Sequence, residues 1–200
     1  MKLFSKYSFL ILLLGLFAFT IQEESFNKCL LTFDKFKGLT LSSLDKLPDT
    51  APKFRNLETK SGKASVSRIG GYRVLYNNKY DVPFVNMKVE FCIKDQYAQD
   101  TTTLINSLDY LLSVSKFMDS EKLHEFDVNG FKIYGYNRNT IEQGSNLGTY
   151  VMFPDDNVTV HFYFNNLKPK YRHFNDIETF YNMRDKFFDK YTKYISNCRK

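Results

Sequence analysis

Tryptophan is absent from the 200 residues, and cysteine, histidine and proline are scarce, with three, three and five copies. The histidines, His124, His161 and His173, form no i,i+4 pair and no HExxH, and Cys29, Cys92 and Cys198 form no CxxC. A zinc-finger or zincin site therefore has no local framework, and neither a metal nor a cofactor is assigned. Glycine motifs are equally thin. "RIGGYR" is a bare pair ahead of a strand, with no following helix or lysine to hold a phosphate. "GSNLG" carries its serine one position too early for a nucleophile elbow. A large charge of one sign is also missing, since 28 Lys and Arg stand against 22 Asp and Glu. So mild an excess speaks against nucleic acid as a partner. From Lys168 onward nine basic residues face four acidic ones, a balance that a solvated helix face explains.

What is present begins with MKLFSKYSFLILLLGLFAFTIQEE. Lys2 and Lys6 precede an apolar and small-residue run from Phe9 to Phe19, and Gln22, Glu23 and Glu24 follow, which is the pattern of a secretory signal peptide over 1–20. The run is short of the roughly 20 residues that a membrane span needs. The expectation is a secreted or periplasmic protein with no stable membrane anchor after cleavage. Residues 21–200 then carry 26 basic and 22 acidic side chains. At 43% hydrophobic and 25% charged, the chain has the composition of a folded domain.

Phe26, Cys29, Leu30, Phe33 and Phe36 recur at helical spacing, with Gly38 as a stop, while "CLLTF" also admits a strand. Residues 21–71 read as this N-terminal helix and a long loop, because from Thr40 to Gly71 small polar residues hold no sustained period. Residues 72–200 read as a single domain. "YRVLYN" and "NMKVEFCIKD" are strands joined by the turn "NNKYDVP", and "DTTTLINSLDYLLSVSKFM" places Leu104, Leu108, Leu111 and Leu112 on one helical stripe. Phe131 to Asn137 alternate after the turn at Asn129 and Gly130, and "NLGTYVMFPDDNVTVHFYFNNL" is a hairpin turning at Pro154–Asn157. The last helix shows Ile177, Phe180, Tyr181, Arg184, Phe187, Phe188, Tyr191, Ile195 and Cys198 on one face, with Asn175 or Asp176 as its cap. The expected class is α+β, an antiparallel sheet of about five strands with the long C-terminal amphipathic helix and the middle helix packed on it. The order of elements is similar to the Mog1/PsbP-like arrangement, a three-layer α/β/α topology, although no residue motif of that family is matched.

Three cysteines in an exported chain allow one bridge and leave one thiol. Cys29 and Cys198 lie on apolar helix stripes near the two ends, so their pairing is favoured, with Cys92 bonded to either as the alternatives. Cys92 shares the polar parity of its strand with Glu90, and His161 has the same parity on another, so a thiol mechanism needs those two strands to be neighbours. The side facing away from Val158, Phe162 and Phe164 also collects Tyr134, Tyr136, His161 and Tyr163. Side chains with an apolar body and a polar tip suit a contacted surface. These four are the candidate binding residues and no residue is assigned as catalytic. Asp155 and Asp156 read as turn acids, and Asn157-Val158-Thr159 matches the glycosylation sequon. The expected function is an exported non-catalytic binding or interaction domain, an extracytoplasmic accessory or inhibitor protein, with an unidentified protein or extended ligand as partner. A carrier of a small apolar ligand and a thiol enzyme using Cys92 and His161 are the alternatives. Export is directly testable: N-terminal sequencing of the secreted material should begin near Ile21, and a start at Met1 would refute the signal peptide.

Overall fold

The structure, a computed structural model, describes residues 26–48, 54–59, 62–92, 123–137, 146–155, 158–165 and 174–199. For residues 54–59 and 62–69 and for 92, 137 and 146 it describes the backbone alone. The predicted middle helix over 100–118 lies outside these residues.

Residues 26–31 form a first helix, α1. Eight strands follow: β1 (Thr40–Lys46), β2 (Phe54–Thr59), β3 (Gly62–Asn77), β4 (Pro83–Cys92), β5 (His124–Val128), β6 (Phe131–Asn137), β7 (Asn146–Asp155) and β8 (Val158–Asn165). The helix α2 (Ile177–Cys198) closes the chain. Seven strands run in the order β1, β3, β4, β8, β7, β6, β5, and β2 pairs with β3 outside that path. Every pairing among the described strands is antiparallel. The class is therefore α+β, as expected. The strand number is corrected upward from about five, because Thr40 to Gly71 is mostly strand rather than loop and because β5 was not anticipated.

The physical reason lies in where these strands sit. β1 and β5 end the path, so each is paired on one side only and has little to bury. β1, "TLSSLDK", shifts register between Leu41 and Ser43, and that bulge breaks the alternation by which a strand is recognised. β5, "HEFDV", turns only Phe126 and Val128 toward the core. The N-terminal helix is likewise shorter than its periodicity predicts. It stops at Leu31, where the Thr32 hydroxyl donates to the Lys28 carbonyl at 3.1 Å and the Thr32 amide to that of Cys29 at 3.3 Å. Phe33 and Phe36 follow in irregular chain and still reach α2.

The cap of α2 is Asp176, whose carboxylate accepts from the Thr179 amide at 2.7 Å and so satisfies an otherwise free donor of the first turn. The buried side of α2 lies on the face of β4, β8 and β7 that carries Met87, Val89, Val160, Phe162, Phe164 and Tyr150. Phe187 meets Phe33, Phe162 and Phe164 with ring centroids 5.6, 6.1 and 5.7 Å away, and Phe188 meets Tyr150 and Phe162 at 5.1 and 5.2 Å. All of these are edge-to-face, the orientation that the ring quadrupoles prefer. Tyr150 needs room for its ring, and two glycines leave it. A Cβ on Gly148 would come within 2.6 Å of the Tyr150 hydroxyl, and one on Gly135, across the strand pair, within 2.6 Å of the ring. The β5–β6 turn is pinned to the same helix: Asn129, at φ 54°, donates from Nδ2 to the Thr192 hydroxyl at 2.8 Å.

Cys29 and Cys198 are disulfide-bonded, with Cα atoms 6.4 Å apart and a sequence separation of 169. The bridge ties α1 to the last residue of α2. In the chain-entropy account a loop of this length restricts the unfolded chain by roughly 4 to 5 kcal/mol. The double substitution Cys29→Ser, Cys198→Ser should therefore lower the free energy of unfolding, read from the urea midpoint and slope, by an amount of that order. A loss below about 1 kcal/mol would mean that the bridge contributes almost nothing to the unfolded-state restriction.

Candidate functional site

The face of the sheet turned away from α2 is built by strict register. Lys88 on β4 stands opposite His161 on β8, His161 opposite Val151 on β7, and Val151 opposite Tyr134 on β6. In the next row Asn86, Tyr163, Thr149 and Tyr136 follow one another across the same four strands. Cross-strand partners point to one side, so both rows share a face, with Glu90 and Thr159 in a third.

An ion cluster lies at the centre of this face. One Glu90 carboxylate oxygen is 2.7 Å from the Lys88 Nζ and the other 3.1 Å from the His161 Nε2. Glu90 and His161 are buried, at 6% and 4% exposure, and Lys88 reaches partly to solvent. Burial alone would raise the Glu90 carboxyl. The adjacent imidazole and ammonium outweigh it and hold the group well below its ordinary value of 4.5. His161 is also stacked on Tyr163, centroids 6.3 Å apart and planes within 7°.

The four candidate binding residues thus share one face, but they are not equally accessible. Tyr136 and His161 are buried, whereas Tyr134 and Tyr163 are half-buried, with Tyr134 against the Phe153 ring at 6.1 Å. Cys92 is the last residue of β4, opposite Arg68 in register, and its side chain lies outside the described residues. It stands four residues beyond Lys88, the partner of His161, which is about 13 Å along the strand. The backbone therefore separates the two groups that a thiol mechanism would need to bring together. His124 is exposed on β5, and His173 and the sequon's Asn157 lie outside the described residues. Asp155 faces the Arg199 guanidinium at 3.7 Å. Among the described residues no group of three or more His, Cys, Asp and Glu is gathered.

Two features were missed from the sequence. Lys88 was seen only as an outward residue, although its parity with Glu90 was visible. Arg184 was placed on the helix stripe without a partner, yet it is a buried cation. Its guanidinium lies 4.8 Å from the Phe126 ring centroid and 4.9 Å from that of Tyr181, donates to Asp185 at 2.8 Å, and reaches the Tyr150 hydroxyl at 3.3 Å. Aromatic faces and one carboxylate compensate for the water it has lost.

Comparison with protein-family models, with curated proteins and with solved structures finds no match for this chain.

The Glu90 cluster makes a pH prediction. A carboxylate whose folded value lies below its unfolded value stabilises the fold fully above about pH 4.5, and that contribution is lost as the pH falls below it. Stability of the wild type should drop between pH 4.5 and 2, and Glu90→Gln should flatten that slope. The same substitution takes the carboxylate from the Lys88 ammonium and the His161 ring and should cost about 3 kcal/mol near pH 7. Urea unfolding as a function of pH reads both, and an unchanged acid slope would contradict the role given to Glu90.

Proposed function

We propose that the protein is an exported, non-catalytic interaction domain, an extracytoplasmic accessory or inhibitor protein that contacts a protein or extended ligand. The observation that carries this reading is the pair of half-buried tyrosines, Tyr134 and Tyr163, on a sheet face whose charged groups are already engaged with one another. They lie two strands and one row apart, about 12 Å, a spacing that one partner segment can bridge. Tyrosine loses little side-chain freedom on binding and offers both an apolar ring and a hydroxyl, which is why it recurs at the centres of interfaces.

Two considerations favour this over the alternatives. His161 faces Glu90 rather than Cys92, which speaks against the thiol enzyme. The space between α2 and the sheet is filled by ring-on-ring contacts of the chain itself, which speaks against carriage of an apolar ligand there. The competing arrangement is a three-layer domain: Thr149, Val151, Thr159 and His161 are buried on the face away from α2, and the leucine stripe at Leu104, Leu108, Leu111 and Leu112 is the sequence best suited to cover it, in which case Tyr134 and Tyr163 would be core rather than surface.

The test separates site from core. A photo-crosslinking residue at position 163, in the protein produced by its native source, should yield a specific adduct that the same residue at exposed Lys79 does not. Tyr134→Ala and Tyr163→Ala should weaken capture of that adduct's partner with Tm within about 2 °C of wild type. Tyr136→Ala, which opens a buried position, should cost about 3 kcal/mol. Equal losses of stability in all three would make the tyrosines core residues and remove the proposed surface.

A further inference from the structure

We propose that α2 and the chain preceding β1 form a second contact surface, on the opposite side of the sheet, for an acidic segment of a partner protein. The Thr32 hydroxyl lies 3.1 Å from that of Tyr194, and the Phe33 ring lies 5.5 Å from that of Tyr194. Phe36 lies 5.5 Å from Phe187, with the Lys190 Nζ 5.5 Å from its centroid. Residues 32–36 therefore run antiparallel along α2, which sets two rows of lysines side by side. Lys186, Lys190 and Lys193 occupy one stripe of the helix, i, i+4 and i+7, spanning about 10 Å. Lys35 and Lys37 flank Phe36, and Lys28 lies one helical turn before Thr32.

All six ammonium groups belong to exposed residues. The acids among them are few and engaged. Asp34 is 3.3 Å from Lys35, Asp189 is 2.7 Å from Lys193 and also accepts from Asn129, and Asp185 is held by Arg184. Lys28, Lys37, Lys186 and Lys190 make no ion pair among the described residues. Six lysines and Arg184 against Asp34, Asp185 and Asp189 leave a local excess of four positive charges.

The chemistry of the patch selects its occupant. It is made of lysines, compact point charges that act through their field, without the planar fork by which arginine pairs with a single carboxylate or phosphate. The nearest arginines are committed, Arg184 to Asp185 and Tyr150, Arg199 to the Pro154 carbonyl. Among the described residues the exposed large apolar side chains are Leu44 on β1 and Tyr80 in the β3–β4 turn, which leaves a bilayer little to bury beside these lysines. An acidic polypeptide needs neither feature, and a field of exposed lysines would speed its approach and orient it.

Binding of a fluorescent poly-glutamate peptide, followed by anisotropy at low salt, tests this. Lys186→Glu, Lys190→Glu should lower the affinity about tenfold or more, whereas Lys79→Glu, Lys132→Glu, with the same change in net charge, should lower it less than about threefold. Lys35→Glu, Lys37→Glu should reproduce the first result from the other row, and added salt should weaken the wild-type complex. Equal weakening by patch and control pairs would overturn the proposal, as would no wild-type binding. Tighter binding of phosphatidylserine vesicles or heparin than of poly-glutamate would also overturn it, by assigning the patch to a membrane or a sulfated polymer. Tyr163→Ala should bind poly-glutamate as the wild type does, so that failure of this surface and failure of the tyrosine face are read separately.

Discussion

Phe187 and Phe188 are adjacent in sequence and splay to the two sides of the ridge that α2 lays on the sheet. Phe187 points toward Phe33 and the N-terminal chain, Phe188 toward Tyr150 and β7, and both rest on Phe162 and Phe164 of the central strand β8. This seam fixes the helix over the middle of the sheet. Its seating allows Asn129 to reach Thr192, Arg184 to find the Tyr150 hydroxyl, and Cys198 to meet Cys29. Because interiors are packed as densely as organic crystals, a ring displaced here is felt at each of those contacts.

The two sides of the sheet use different physics for the same end. Toward α2 the strands present rings and aliphatic side chains, and shape decides the fit. Away from it they present Glu90, Lys88, His161, Thr149 and Tyr136, and hydrogen-bonding capacity and charge decide it. A buried ion cluster adds little net stability against an apolar alternative, but it penalises every register in which its members are separated. One-residue slippage of β4 against β8 would move Glu90 from the side of His161 to the helix face.

How much of this was legible depended on burial. β4, β6, the β7–β8 hairpin and α2 each have one strongly buried face, so their apolar periods of 2 and 3.6 stand out, and Asp176 marks the start of α2. β1, β2 and β5 lie at or beyond the margins of the sheet, and their residues answer to solvent and to a bulge rather than to a core. The common face of Tyr134, Tyr136, His161 and Tyr163 followed from parity alone. Their unequal accessibility did not, because it depends on what lies over each row. The Glu90–His161 contact could not be read from the sequence either, since it requires β8 to lie beside β4, a neighbour separated from it by the whole of β5–β7.

That placement of β8 has a consequence for how the chain is made. β4 and β7 become neighbours of a finished sheet only when the last strand to be synthesised enters between them. Until then the ribosome has released one ribbon ending in the open edge of β4 and, later, another ending in the open edge of β7, each bearing residues such as Met87, Val89 and Met152 that need a lid of helix not yet translated. Folding from the N-terminus outward is therefore deferred rather than progressive, and until β8 and α2 emerge the nascent protein depends on whatever shields its exposed strand edges.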